Sequence, residues 1–231
     1  MQTTFPRYIA LIPAAGVGAR MAANGPKQYI ALGGKPMLRH TVDAFAASPL
    51  IAHTYVVVSA DDPHIATVIP NRDSVTVLRC GGATRMESVN NGLAALHGSV
   101  GSDDWILVHD AARPGLTAAL IERLITRTGN HAVGGLLALP VVDTVKRDVA
   151  GQVATISRDG LWLAQTPQMF RYQLLQKALG AVVDPATITD DASAVEALGL
   201  APLLVEGHPC NLKVTRPDDV RIAELYLKQS T

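Results

Sequence analysis

The sequence predicts an α/β fold with a mostly parallel, Rossmann-like sheet, and three observations carry that prediction. Apolar runs of strand length alternate with amphipathic helical patterns from Tyr8 to Leu139, the order that produces a parallel sheet with helices on both faces. The first run, Tyr8 to Ile12, leads into a glycine-rich stretch with two cations, Pro13 to Tyr29. The fourth run, Trp105 to Val108, ends in His109-Asp110. Ligands of such sheets bind beyond the carboxyl ends of the strands, so two chemically loaded strand ends point to a site there.

Each element follows from its own pattern. After the first strand and its loop, Met37 to Ala47 reads as a helix with Met37, Leu38, Thr41, Val42 and Phe45 on one face, and Pro36 suits its start. His53 to Ser59 is the second strand, Asp61-Asp62-Pro63 opens a short helix, and Ser74 to Leu78 is the third strand. Gly81-Gly82 breaks the chain before a helix from Met86 to Leu96. Ala118 to Thr128 is helical, and Val133 to Leu139 is again a strand.

The pattern changes after Pro140. Val141 to Lys146 and Gln152 to Ile156 flank Arg147 to Gly151, which predicts a β-hairpin arm at about residues 140–160. The arm is polar and has no obvious helix to cover it. Exposed strand edges need a partner, so either a dimerisation arm or a hairpin packed on its own domain satisfies the pattern. Trp162 to Gln165 returns as a strand, with helices at Tyr172 to Leu179 and Asp190 to Leu198. Leu203 to Val205 and Asn211 to Val214 read as short strands, and Thr215-Arg216-Pro217-Asp218-Asp219 begins the last helix. With 231 residues, 48% of them hydrophobic, one domain spanning 1–231 is expected, with no further domain after the last helix.

Composition narrows the function. Twenty basic and twenty acidic residues cancel, which gives no support to nucleic acid or a membrane surface as the main partner. No apolar run reaches transmembrane length and no signal-type segment opens the chain. The two cysteines, Cys80 and Cys210, are far apart and outside any metal-ligand spacing. They read as free thiols in a reducing compartment, so a cytoplasmic location is expected.

The glycine-rich stretch could be an ordinary strand-to-helix turn. It also suits an anion: Ala14, Ala15, Gly16 and Gly18 allow close backbone approach and an inward-turned set of N–H groups, with Arg20 and Lys27 adding positive charge. A dinucleotide turn fits poorly, because Met21 stands at the third glycine position and Asp43 falls inside a helical pattern. The phosphate-loop spacing G-x-x-x-x-G-K-[ST] is absent. Gly82, Arg85 and Ser88 lie at a helix start, a second place for an anion or simply a capped helix. Asp110 at a strand end facing the nest is a natural ligand for Mg²⁺, which takes one or two carboxylates plus substrate phosphates; a turn cap is the structural alternative. His109 belongs to no His/Cys cluster and reads as a satisfied histidine beside the site. Thr144, Arg158, Thr166, Thr189 and Lys213 are separately ordinary surface residues, and Thr189-Asp190-Asp191 has the form of a helix cap.

In order, the chain carries PAAGVGARM, GPKQY, GG-x-x-R-x-x-SV-x-NGL at Gly81 to Leu93, VHDAARP at Val108 to Pro114, VVDTVK, QTPQMF, TDDASAVE and NLKVTRPDD. These blocks, from about residue 8 to residue 228, resemble the methylerythritol phosphate cytidylyltransferase family of nucleotidyltransferases. The resemblance implies a nucleotidyltransferase sheet and transfer of CMP from CTP to methylerythritol 4-phosphate with release of pyrophosphate. It implies that Arg20 and Lys27 act on the transition state and that Asp110 binds Mg²⁺. Ala14, Ala15, Gly16, Gly18, Gly82, Arg85, Ser88, Ala111 and Arg113 fall in the nucleotide-site blocks. Arg158 and Lys213, helped by Thr144, Thr166 and Thr189, match residues that position the acceptor phosphate. It further implies a homodimer in which the arm brings Arg158 and Thr144 to the partner's site. Ala83 stands where relatives often carry an acid. Ribitol phosphate cytidylyltransferase is the relative most easily confused with it, and a non-catalytic nucleotide binder on the same fold is the alternative of a different class.

Overall fold

A computed structural model describes residues 5–16, 25–69 and 72–229. The first strand, β1 (Tyr8–Pro13), is an interior strand of the main sheet. Its side chains alternate: Ala10 and Ile12 enter one apolar layer, Ile9 and Leu11 the other, as the two-residue period of a strand requires. A 3₁₀ turn at Lys27–Tyr29 and a small antiparallel pair, β2 (Ala31–Leu32) and β3 (Lys35–Pro36), lead into α1 (Met37–Ala46). Then come β4 (Ile51–Val57), the short α2 (Ile65–Val68), β5 (Val75–Leu78), α3 (Arg85–Ala95), β6 (Trp105–Val108), α4 (Ala118–Thr128) and β7 (Gly134–Pro140). The arm is β8 (Val145–Val149) and β9 (Gln152–Ile156), followed by β10 (Trp162–Arg171), α5 (Tyr172–Gly180), α6 (Asp191–Glu196), β11 (Leu203–Glu206) and α7 (Pro217–Gln229).

Seven strands form the main sheet in the order β11-β7-β10-β6-β1-β4-β5. All pairings are parallel except those of β10, which runs antiparallel to β6 and β7. The expected mostly parallel α/β sheet is therefore present. The chain builds outward from β1 to β4 and β5, then crosses back to place β6 on the other side of β1. That reversal opens a crevice at the carboxyl ends of β1 and β6. Leu38, Val42 and Phe45 of α1 and Leu120, Ile121 and Leu124 of α4 pack one face of the sheet. Val89 and Leu93 of α3, Leu175 of α5 and Ala194 and Val195 of α6 pack the other. A third cluster, Leu32, Met37, Val214 and Ala223, seats the C-terminal helix beside the crevice.

Three expectations are corrected. Asn211 to Val214 is not a strand: a 3₁₀ turn occupies Pro209–Asn211 and the following residues join no ladder. The buried Asn211 amide donates to the Thr166 carbonyl at 2.7 Å, and Val214 N–H donates to the Ala112 carbonyl at 2.8 Å. Side-chain and isolated backbone bonds hold that segment instead. The first arm strand begins at Val145 rather than Val141, and the turn is tighter than the expected five residues. Ala150 (φ 52°) and Gly151 (φ 83°) both sit at positive φ, which suits a two-residue hairpin turn. Finally, β10 does not stop at Gln165. Its ladder to β7 is interrupted between Ala164 and Gln168 and then resumes, so the strand passes through Pro167 where no N–H is available.

Candidate active site

The crevice holds a cavity of about 380 Å³ lined by Pro13–Gly16, Lys27, Gln28, Gly82–Arg85, Ser88, Asp110–Ala112, Lys213 and Thr215. Its floor is the end of β1. Ala14 N–H donates to the Val57 carbonyl at 2.7 Å, and Ser59 Oγ donates to the Ala15 carbonyl at 3.2 Å. The second loop lies directly on the first. A Cβ on Gly81 would stand 2.3 Å from Ala15 Cβ and 2.9 Å from the Val58 oxygen, so the two loops meet this closely only around glycine. Gly82 N–H donates to Ser88 Oγ at 3.1 Å, and Ser88 Oγ donates to the Thr84 carbonyl at 2.9 Å. Thr84 caps α3 by accepting from Glu87 N–H, which sets the helix start and places Arg85 in its first turn.

Asp110 is the electrostatic centre. Its Oδ1 accepts from Arg85 Nε at 2.7 Å, its Oδ2 from Lys213 Nζ at 2.7 Å, and Arg113 Nε lies 3.8 Å away. Burial alone would raise its pKa; Arg85, then Lys213 and Arg113, hold it well below the usual carboxylate range. Arg85 bridges on to Asp191, Nη1 to Oδ1 at 3.1 Å and Nη2 to Oδ2 at 2.8 Å. Burial works against its charge, but Asp191 and then Asp110 raise its pKa. Beneath Asp110, its N–H donates to Thr166 Oγ1 at 3.1 Å, and that hydroxyl lies 2.9 Å from His109 Nδ1. His109 is fully buried, with Nε2 3.3 Å from the Arg113 carbonyl. Burial pushes its pKa down to about 3, so it is neutral and satisfied, as its isolation in the sequence implied. Among the described residues, Lys27, Arg85 and Lys213 line the main cavity with one carboxylate, Asp110, so its lining carries an excess of positive charge. Such a crevice favours polyanions.

The predicted residues divide into four sets. Ala14, Ala15, Gly16, Lys27, Gly82, Arg85, Ser88, Asp110, Ala111 and Lys213 are brought together around the cavity. A smaller cavity of about 230 Å³ shares Arg85, Asp110 and Lys213 with it and adds Arg113, Thr166 and Thr189. Arg113 stands mainly in the wall: Nη1 donates to the Asn211 carbonyl at 2.8 Å and Nη2 to the Ala164 carbonyl at 3.2 Å. Thr144 and Arg158 do not line either cavity. They are exposed at the arm, where Arg158 Nη1 donates to the Val142 carbonyl. Gly18 and Arg20 lie outside the described residues.

The donor set fits Mg²⁺ in one form only. Among the described residues no group of three or more His, Cys, Asp or Glu side chains could hold a metal, so an all-protein cage is absent there. Asp110 is ionised, and each carboxylate oxygen has more than one lone-pair site, leaving acceptor capacity beyond Arg85 and Lys213. That matches a metal held between one carboxylate and substrate phosphates.

Sequence reasoning missed Asp191 and Gln28. Asp191 is almost fully buried and pairs with a residue 106 positions away; no local pattern announces that. Gln28 is buried with its Nε2 donating to the Ala14 carbonyl at 2.8 Å. Its place in the quoted GPKQY block was the only available signal.

Comparison with known proteins agrees with this geometry. A family model described as IspD, 2-C-methyl-D-erythritol 4-phosphate cytidylyltransferase, matches residues 8–229. A protein of that name from Dechloromonas aromatica (strain RCB) is 50% identical over 231 aligned residues, 96% of this chain and 98% of the relative. One from Chromobacterium violaceum is 53% identical over 221, covering 95% and 97%. A crystal structure of 4-diphosphocytidyl-2C-methyl-D-erythritol synthase superposes with a TM-score of 0.85 at 46% identity, covering 97% of this chain and all of that one. The Francisella tularensis enzyme does so with 0.81 at 36% identity, covering 95% and 99%. A glycine-backed strand-end pocket, a cation-ringed aspartate and a match running from Tyr8 to Gln229 lead to one conclusion: the chain belongs to the 2-C-methyl-D-erythritol 4-phosphate cytidylyltransferase family.

Proposed function

We propose that this chain transfers CMP from CTP to 2-C-methyl-D-erythritol 4-phosphate, giving 4-diphosphocytidyl-2-C-methyl-D-erythritol and pyrophosphate in the non-mevalonate isoprenoid pathway. The observation that carries the reading is the pair of cavities sharing Arg85, Asp110 and Lys213. Two phosphate-bearing substrates placed one in each would meet at those groups.

An oxygen of the acceptor phosphate attacks the α-phosphorus of CTP, and the bond to the β-phosphate oxygen breaks to release pyrophosphate. The attacker is already an anion, so no side chain need remove a proton from it. This accounts for a site whose histidine is buried and neutral. Catalysis then consists of positioning and charge stabilisation. The Ala14–Gly16 and Gly82 backbones, with Gly18, Ser88 and Ala111, cradle the nucleotide; Arg85 frames it, and Arg113, from the wall of the adjoining cavity, supports it through Asp110. Lys27 and Arg20 meet the charge that builds at the α-phosphate. Lys213, Thr189 and Thr166 hold the acceptor side. Asp110 would hold Mg²⁺, which when bound neutralises phosphate charge and favours departure of pyrophosphate.

The arm supports a homodimer. It forms its own two-stranded sheet, and Val149, Val153 and Leu163 are each at least 60% exposed. Apolar side chains left bare on and beside a hairpin suit a second copy of the chain, which would carry Thr144 and Arg158 to its partner's acceptor cavity. Site and arm are then parts of one nucleotidyltransferase domain. A cytoplasmic location suits the two free cysteines and phosphorylated substrates. No helix of the described residues is long and apolar enough to cross a membrane, and the balanced charge offers nothing to nucleic acid.

Pyrophosphate release from CTP and Mg²⁺ tests the reading, with methylerythritol 4-phosphate and ribitol 5-phosphate supplied separately. Release with the first alone is expected. Release with ribitol 5-phosphate alone would keep the mechanism and overturn the acceptor. CTP binding without release in either case would make the chain a nucleotide binder.

A further inference from the structure

Lys27 stands on a 3₁₀ turn of only three residues, Lys27–Tyr29, and both other residues of that turn are tied down. Gln28 is buried, and its Nε2 donates to the Ala14 carbonyl at 2.8 Å. Tyr29 Oη donates to Asp62 Oδ2 at 2.7 Å, while Asp62 Oδ1 accepts from the N–H groups of His64 and Ile65. Ala14 is itself fixed to β4 through its N–H. Lys27 Nζ lies 3.2 Å from the Val214 carbonyl, next to Lys213. A lysine is a point charge on a flexible four-carbon stem, so the reach of its ammonium depends on where the backbone puts its Cα. The Gln28–Ala14 bond joins that backbone to the loop that forms the floor of the nucleotide cavity.

We infer that Gln28 is a positioning residue for the transfer: its amide holds the Lys27 turn in register with the Ala14–Gly16 loop, so that the ammonium meets the α-phosphate of a nucleotide cradled there. The inference rests on the reading of Lys27 as a transition-state cation. Gln28 touches no reacting atom; it acts through the Ala14 carbonyl on one side and the Lys27 backbone on the other. Displacement of a catalytic group by about 1 Å can cost on the order of 100-fold in rate, and one lost tether of two calls for a smaller effect.

A double-mutant cycle separates this role from general packing. Gln28→Met keeps the length and removes the donor. It should lower kcat about tenfold when Lys27 is present, with KM for the acceptor unchanged, and less than about twofold in a Lys27→Ala background, where no ammonium remains to misplace. An equal loss in both backgrounds would mean that Gln28 acts independently of Lys27 and would overturn the inference, as would unchanged kcat in the single variant. If Gln28→Met does not fold, Gln28→Glu, which sets a carboxylate against the Ala14 carbonyl, takes its place in the same cycle. Lys27→Ala alone tests the underlying reading: normal turnover in that variant removes Lys27 from the mechanism and the inference with it, whereas slow turnover with additive Gln28 effects defeats the inference alone.

Discussion

Asp110 Oδ2 and Lys213 Nζ lie 2.7 Å apart across the junction of the two cavities. The residue proposed for the metal and the residue proposed for the acceptor phosphate are thus one ion pair. The other carboxylate oxygen is engaged by Arg85. Removing the Asp110 charge therefore disturbs the proposed metal position, Lys213 and Arg85 together. Arg85 keeps its two-pronged contact with Asp191, so the fold should survive.

Asp110→Asn is expected to lower kcat by roughly 100- to 1000-fold, the scale of losing a preorganised electrostatic group. Activity measured against Mg²⁺ concentration should show the residual rate to be nearly independent of the metal. Wild-type turnover with the usual metal dependence would take Asp110 out of the site.

The sheet and the position of the crevice were legible because long-range order there follows from local pattern. Ile9 to Ile12 and Trp105 to Val108 are unbroken apolar runs, and each ends in residues that cannot continue a buried strand. The same logic failed at β10. Gln165-Thr166-Pro167-Gln168 looks like the end of a strand, yet the ladder lapses only there and resumes at Gln168. Strand direction has no local signature either, so the antiparallel insertion of β10 between β6 and β7 was invisible. Asn211-Leu212-Lys213-Val214 alternates like a strand, but the Asn211 side chain supplies the anchoring that a ladder would have given. Likewise, Asp191 reads as an acid in the first turn of a helix and is also the buried counter-ion of Arg85. Cap chemistry is written in neighbouring residues; pairing over 106 positions is not.

His109 gives the protein a pH signature. Its folded pKa is pushed down to about 3 by burial, whereas an unfolded histidine titrates near 6.5. Between those values the unfolded chain binds a proton that the folded chain refuses, so stability is full above about pH 6.5 and falls as pH drops. The loss is about 1.4 kcal/mol per pH unit, hence about 2 kcal/mol between pH 7 and pH 5. Asp110, held low, acts only below the ordinary carboxylate range, outside this window. Urea unfolding at pH 7 and pH 5 should show this drop in the native protein and a smaller one in His109→Gln. His53, lowered by partial burial, is present in both proteins and cancels. Equal drops would show that His109 is protonated in the fold.

The arm predicts a division of labour between subunits. Arg158 and Thr144 are absent from the lining of both cavities of their own chain, and Val149 and Val153 on the arm are bare. If the arm serves a partner's site, Arg158→Ala and Asp110→Asn each disable every site of a homodimer, for different reasons. A heterodimer of the two, purified through distinct tags, contains one site with Asp110 from the first chain and Arg158 from the second. That site is intact, the other doubly damaged, so about half of wild-type turnover should return. Sedimentation should show dimers, and removal of residues 145–156 should yield monomers without activity. A heterodimer no faster than its inactive parents would place Arg158 at its own chain's site, and a monomeric native protein would refute the dimer outright.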